Sequence, residues 1–212
     1  GILIRTNSLT RHLEEALLAE NIPYKVSGGT SFFQRKEIKD VISYLRVIAN
    51  PSDDVNLIRI LNVPRRGMGR RALEHLQERS KRLACSLYDA LESLEQPGPT
   101  ELPEKTRTDA LEFVQAVKGF REEMLGRRNL VAKVRRMIDA IDYWGYLVAE
   151  NQHNEKAAKW KFLNVEHLLE SMDRWEKDPD NLDPSLFNWL NRISLITRDD
   201  MEDDQDAGKV NL

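Results

Sequence analysis

Apolar residues that recur every three or four positions are the strongest constraint on the fold of this chain. Between residues 36 and 49 they form one stripe, made of Ile38, Val41, Ile42, Leu45 and Ile48. That spacing predicts an amphipathic helix with one buried face, ending before Pro51. Similar stripes, separated by glycine and proline, continue to about residue 196. The sequence therefore predicts a mainly α fold.

Capping and helix-breaking residues set the expected ends of these helices. Ser52 is expected to cap a short helix that ends near residue 61, and Ser86 and Asp89 have the spacing of a capping box. Gly145 is expected to mark a bend. Pro184 is expected to start the helix that runs to about residue 196.

The first residues have a different pattern from the rest. Residues 2–4 and 24–26 are short β-prone runs, and Ser8 can cap a helix between them. This strand, helix, strand unit cannot form a stable sheet alone, so we expect a small edge of a larger α/β domain. Val210 looks like the start of a returning strand. The chain begins at Gly1 without methionine, and we expect a piece of a larger protein.

The distribution of charge is more informative than its sum. The chain has 32 basic and 35 acidic residues, so its net charge of −3 does not point to nucleic-acid binding. Residues 65–82, however, contain seven basic and two acidic residues. Residues 199–206 contain six acidic residues and no basic one. The neutral total thus hides one basic patch and one acidic segment.

Cysteine content and hydropathy indicate the compartment. Cys85 is the single cysteine, which excludes an intrachain disulfide and favours a reducing, cytoplasmic location. We interpret Cys85 as a small packing residue. The sequence has no signal peptide and no run of 18 apolar residues, so we expect no membrane association.

A glycine turn ahead of a helix is the strongest candidate for a binding site. Gly67 and Gly69 flank Met68, and a helix is predicted from Arg70 to about Leu83. Such a turn leaves backbone N–H groups free at the positive end of the helix dipole, where a nucleic-acid phosphate can bind. Mobile positive charge around the turn would come from Arg65, Arg66, Arg70 and Arg71.

This stretch has a structural interpretation as well. Gly-x-Gly before a helix is common in plain helix–helix turns, and arginine pairs on a surface are often only solvated. Taken alone, the stretch leaves phosphate binding and a structural turn equally open.

Other candidate sites are weaker. No catalytic constellation is present. The four histidines lack the spacing of metal ligands, and the acidic segment lacks the glycine and final glutamate of a calcium loop, so we expect no metal site. Tryptophans can stack on bases, but their helical spacing favours a place in the core. These residues are His12, His75, His153 and His167, and Trp144, Trp160, Trp175 and Trp189.

Several blocks of sequence, in order, resemble one family. They are Ile4-Arg5-Thr6-Asn7, Ile22-Pro23-Tyr24, Gly28-Gly29-Thr30-Ser31-Phe32-Phe33, Lys36-Glu37-Ile38-Lys39-Asp40, Tyr44-Leu45-Arg46 and Asn62-Val63-Pro64-Arg65-Arg66-Gly67-Met68-Gly69. Together they resemble the Rep/UvrD/PcrA-type superfamily 1 DNA helicases over about the first 75 residues. Beyond Leu76 the similarity is looser.

The resemblance implies a division of the chain. Residues 1–35 would belong to the second RecA-like motor domain (2A), residues 36–208 to its helical inserted subdomain (2B), and residues 209–212 to the return into 2A. The glycine turn would act like a helix-hairpin-helix that grips duplex DNA. Arg5 and Asn7 match family residues beside the single-stranded DNA track.

The resemblance also implies a function. The chain would be part of an ATP-dependent 3′–5′ DNA helicase that unwinds DNA in replication or repair. It would bind the duplex and single-strand junction without regard to sequence, and regulate the rest of the motor. An alternative is a helical protein-interaction or autoinhibitory module that does not bind DNA. Its protein partners are unknown.

Some residues depart from the family pattern. Ile4 stands where tyrosine is usual and Met68 where isoleucine is usual, and neither change removes a backbone N–H. The chain has no Gly-x-x-x-x-Gly-Lys-Ser/Thr loop and no acidic magnesium motif on a strand. We therefore expect no cofactor in this chain, which should not hydrolyse ATP, and ATP with Mg²⁺ in the parent protein.

Overall fold

The computed structural model describes residues 1–3, 13–14, 16–17, 22, 24–25, 31–96, 102–126, 129–152, 154–199 and 210–211. Within these ranges the fold is mainly α, as predicted. The helices are α1 (Lys36–Ala49), α2 (Asp54–Ile60), α3 (Arg70–Leu83), α4 (Leu87–Glu92), α5 (Glu104–Met124), α6 (Leu130–Ala140), α7 (Tyr143–Glu150), α8 (Glu155–Glu176) and α9 (Leu186–Asp199). Short 3-10 turns cover Phe32–Gln34 and Ser93–Glu95.

Helix α1 is the centre of the core. It packs against α2, α5, α8 and α9, and its predicted apolar stripe is buried, with Ile38, Leu45 and Ile48 fully inaccessible. Asp40 is buried on the same helix. Its carboxylate accepts hydrogen bonds from Arg59 Nε at 2.9 Å and from the Tyr143 hydroxyl at 3.1 Å, which offset part of the cost of its desolvation.

Burial still raises the pKa of Asp40 above its ordinary value, because desolvation outweighs the opposing effect of Arg59.

A side chain on α5 binds the carbonyl oxygens at the end of α1. Arg121 Nη1 donates to the carbonyl oxygens of Ile48 and Ala49, at 2.6 and 2.7 Å. A cation at this end also interacts favourably with the helix dipole.

Helix caps agree with the predictions in one case and correct them in three. The capping box of Ser86 and Asp89 is present. Asp53 caps α2 instead of Ser52, because its carboxylate accepts from the Asn56 N–H. The last helix begins at Leu186, two residues after the predicted Pro184.

The third correction concerns Gly145, which lies inside α7 and makes no bend. Asp142 caps this helix, and its Oδ1 accepts from the Gly145 N–H at 3.1 Å. A β-carbon at Gly145 would meet the Asp142 carboxylate at 2.2 Å. The glycine therefore makes room for the cap.

The predicted α/β edge is only partly described. Strands β1 (Tyr24–Lys25) and β2 (Val210–Asn211) pair in parallel, with Tyr24 opposite Val210. Ile2 and Leu3 have no regular secondary structure, whereas residues 13–14 and 16–17 are helical. The rest of the strand, helix, strand unit lies outside the described residues and stays a prediction.

Candidate nucleic-acid interface

The glycine turn connects α2 to α3, as the sequence predicted. Gly67 has φ +67°, a left-handed conformation that favours glycine, and a β-carbon there would lie 3.3 Å from Thr106 Oγ1. Met68 is only 3% exposed and anchors the turn in the core. The buried Met68 side chain therefore anchors the exposed backbone of Gly67 and Gly69.

The start of α3 is open to an anion. Gly69 is the N-cap and supplies no side chain to bond the first turn. Among the described residues, no acceptor binds the N–H groups of Arg70, Arg71 and Ala72. A β-carbon built on Gly69 would meet no atom within 4 Å. Free donors, the helix dipole and open space therefore coincide at this helix end.

Three of the four arginines around the turn are exposed. The Arg65 side chain is 74% exposed and donates from Nε and Nη2 to Glu150 Oε1, at 3.1 and 2.6 Å. Arg70 pairs with Glu74 one turn further along α3, at 2.8 Å. Arg71 is exposed and makes no ion pair with any residue in the described ranges. These side chains can exchange their contacts for a ligand at little cost.

Arg66 is placed differently from the mobile cation that the sequence suggested. Its guanidinium points into the protein, where Nη2 donates to the Tyr44 hydroxyl at 2.6 Å. The Arg66 Cζ lies 4.9 Å from the centre of the Phe113 ring. Arg66 is therefore held by the core, and the mobile charge at the turn comes from the other three arginines.

Glu150, at the end of α7, is the residue near the turn that the sequence did not indicate. Besides Arg65 it accepts from Lys36 Nζ at 3.3 Å, and Lys36 also donates to the Tyr146 hydroxyl at 2.9 Å. Hydrogen bonds from Arg65 and Lys36 lower the pKa of Glu150. The carboxylate is therefore ionised at neutral pH and occupies Arg65 in the absence of a ligand. No signal in the sequence links residues 85 positions apart.

The tryptophan prediction is correct for two residues and wrong for two. Trp189 is buried and Trp175 packs against the core. Trp160 is 63% exposed and Trp144 is 42% exposed, the latter in edge contact with Phe162. Helical spacing could not distinguish the buried tryptophans from the exposed ones, because the apolar residues of α7 and α8 include exposed positions.

The other candidate residues lie only partly within the described ranges. No group of three or more histidine, cysteine, aspartate or glutamate side chains suited to a metal occurs among the described residues. Cys85 is half-buried and free. Arg5, Asn7 and most of the acidic segment lie outside the described residues. None of the helices in the described ranges has the length and apolar character of a membrane-spanning segment.

Fold and site together define a mainly helical unit with an open, arginine-flanked turn at a helix start. The chain belongs to the UvrD-like helicase C-terminal domain family, which matches residues 1–212. It is similar to the ATP-dependent DNA helicase PcrA of Staphylococcus aureus, at 32% identity over 209 residues. PcrA of Staphylococcus epidermidis is 33% identical over the same length. The match covers 98% of this chain and 27% of either relative, so the chain spans about a quarter of their length.

Proposed function

We propose that this chain is the duplex-engaging, helical inserted subdomain (2B) of an ATP-dependent 3′–5′ DNA helicase, with a flanking part of motor domain 2A. Residues 1–35 and 209–212 would belong to 2A and residues 36–208 to 2B. Family membership and the names of the PcrA relatives support the parent activity. The parallel pairing of β1 with β2 supports the proposed division into 2A and 2B, because the two ends of a segment inserted into a sheet domain return to that sheet.

One observation carries the proposal for the site. Within the described residues, N–H groups without an acceptor, an open Gly69 and the exposed Arg65, Arg70 and Arg71 lie together at the turn that begins α3. A DNA phosphate needs this combination of backbone donors and cations. Met68 would hold the turn in place, and Gly67 would give it the required backbone angle. None of these groups reads a base edge, so binding would not depend on sequence.

The expected salt dependence follows from the number of free arginines. Each neutralised phosphate contributes a slope of about −0.9 in log affinity against log salt. Three exposed arginines therefore contribute up to about −2.7. The contribution of Arg65 is below its full value in the natural chain, because Glu150 already neutralises part of its charge.

Binding of the 212-residue chain to a labelled duplex with a single-stranded tail, across a salt series, tests the proposal. The variant R65A/R70A/R71A should bind this DNA more weakly than the natural chain, and its salt slope should be shallower by up to about 2.7 units. The matched control is K156A/R135A/K177A, which removes the same charge from three exposed residues. Arg135 and Lys177 are ion-paired, and Lys156 makes no ion pair within the described ranges. Equal losses in the two variants would refute a specific phosphate site at the turn.

The rest of the proposed function rests on the family resemblance. Arg5 and Asn7 would contact the single strand. The motor that binds ATP and Mg²⁺ would lie in the longer protein, and the helical subdomain would swing as a rigid body to regulate it.

Protein docking is the second candidate function. The observation in its favour is the exposure of Trp144, Trp160 and Leu163 on α7 and α8. Large exposed apolar side chains of this kind are typical of contact surfaces. A folded chain that fails to bind DNA at low salt, but loses a protein partner in the variant W144A/W160A, would favour this function over the first.

A further inference from the structure

Arg66 has a set of partners that no other arginine at the turn has. Besides Tyr44, its guanidinium binds two backbone carbonyls: Nη1 donates to Ile60 at 3.3 Å and to Pro64 at 3.1 Å. Its own backbone N–H donates to Asn62 Oδ1 at 2.7 Å. One side chain thus connects the last residue of α2 with the turn itself.

The partners on the core side are buried. Tyr44 on α1 is 1% exposed, and Phe113 on α5 is 3% exposed. The Tyr44 hydroxyl accepts from Arg66 and donates to the Val63 carbonyl, next to Pro64. The Arg66 side chain and the backbone at Val63 and Pro64 therefore share one anchor in α1.

Only a guanidinium can make this set of contacts. Its planar fork donates in several fixed directions and can lie against an aromatic ring at the same time. A lysine ammonium would keep the positive charge but could not reach both carbonyls, the hydroxyl and the Phe113 ring together. The charge of Arg66 and its geometry can therefore be tested separately.

We propose that Arg66 is a positioning residue for the phosphate-binding turn: held by Tyr44, Ile60, Pro64 and Phe113, it fixes the direction in which the turn presents its N–H groups and does not itself contact DNA. This inference rests on the proposed function. Arg66 fixes the turn on one side of Gly67, as buried Met68 fixes it on the other. The N–H groups of residues 70–72 are then aimed before the ligand arrives, which lowers the cost of binding.

The test measures DNA affinity across a salt series for R66K, R66A, Y44F and R71A in the 212-residue chain. R66K and Y44F should lose about tenfold in affinity at every salt concentration, with an unchanged slope. R71A should make the slope shallower by about 0.9. In the free R66K protein, the amide resonances of Gly67 and Gly69 should move.

Y88F is the control for a merely structural effect. Tyr88 is also buried, and its hydroxyl also donates to a backbone carbonyl, that of Val114 at 3.2 Å. Y88F should cost similar stability, measured by urea unfolding, and leave DNA affinity unchanged. An equal loss of affinity in Y88F and Y44F would overturn the positioning role.

Three further outcomes show whether this inference fails alone or together with the proposed function. If R66K binds like the natural chain and R66A has a shallower slope, Arg66 is a phosphate ligand and the inference is wrong. If all Arg66 and Tyr44 variants bind normally while R71A changes the slope, the inference is wrong and the proposed function stands. If the natural chain does not bind, or R71A keeps its slope, both are wrong.

Discussion

Replacing Glu150 by glutamine should strengthen DNA binding, although it removes an ion pair. In the free protein Glu150 Oε1 accepts two hydrogen bonds from Arg65, so a phosphate must displace this carboxylate before Arg65 can bind it. Glutamine keeps the shape of the side chain but loses the charge. E150Q should therefore release Arg65 for the ligand.

The size of the effect follows from the exposure of the pair. Because the Arg65 side chain is 74% exposed, water and salt screen the interaction strongly. We expect a gain in affinity of about two- to fivefold. The salt slope should also become steeper by up to about 0.9, because Arg65 then releases a counterion and not a carboxylate.

Fluorescence anisotropy with the tailed duplex measures both quantities. E166Q is the matched control, because Glu166 also accepts two hydrogen bonds from an exposed arginine, Arg135, at 2.7 and 2.8 Å. The double variant R65A/E150Q should bind no more tightly than R65A. An equal gain in E166Q, or a gain that persists without Arg65, would refute the exchange of carboxylate for phosphate.

The fold and the turn lead to four further predictions. G67A should lower the free energy of unfolding by about 1–2 kcal/mol, because φ at Gly67 is +67°. G69A should lower the free energy of unfolding by less than about 1 kcal/mol. It should still weaken DNA binding, because the added methyl group would occupy the approach to α3. R121A should lower the free energy of unfolding by about 1.5–3 kcal/mol in urea titrations, through loss of two bonds to the end of α1. Burial raises the pKa of Tyr44 from 10.0 to about 12, so stability should hold below pH 10 and fall as the pH rises to about 12, less so in Y44F.

The sequence predicted the helices well because their signal is local and periodic. The stripe of α1 and the limits of α3 agree with the structure. The errors occur where two neighbouring residues compete for one role. Ser52 and Asp53 can both cap a helix, and Asp53 does so because its carboxylate reaches the Asn56 N–H. Gly145 resembled a helix breaker, but Asp142, three residues before it, caps the helix, and the glycine leaves room for that cap.

In the candidate site, too, only the residues that are close together in sequence could be predicted. The turn and its arginines are contiguous in sequence, so they could be recognised together. Their partners could not, because Tyr44 lies 22 residues from Arg66, and Glu150 lies 85 residues from Arg65. Only the packing of α1, α5 and α7 brings these side chains to the turn. A sequence motif therefore gave the candidate ligands, and the structure distinguished the held arginine from the exposed ones.

The proposed function requires that backbone N–H groups at the start of α3 bind a DNA phosphate. Titration of the isotope-labelled chain with the tailed duplex, followed by the amide resonances of each residue, tests it most directly. We expect the largest downfield shifts at Gly69, Arg70, Arg71 and Ala72, and high salt should reverse them. Shifts confined to other surfaces, such as the exposed face of α8 around Trp160, would contradict it.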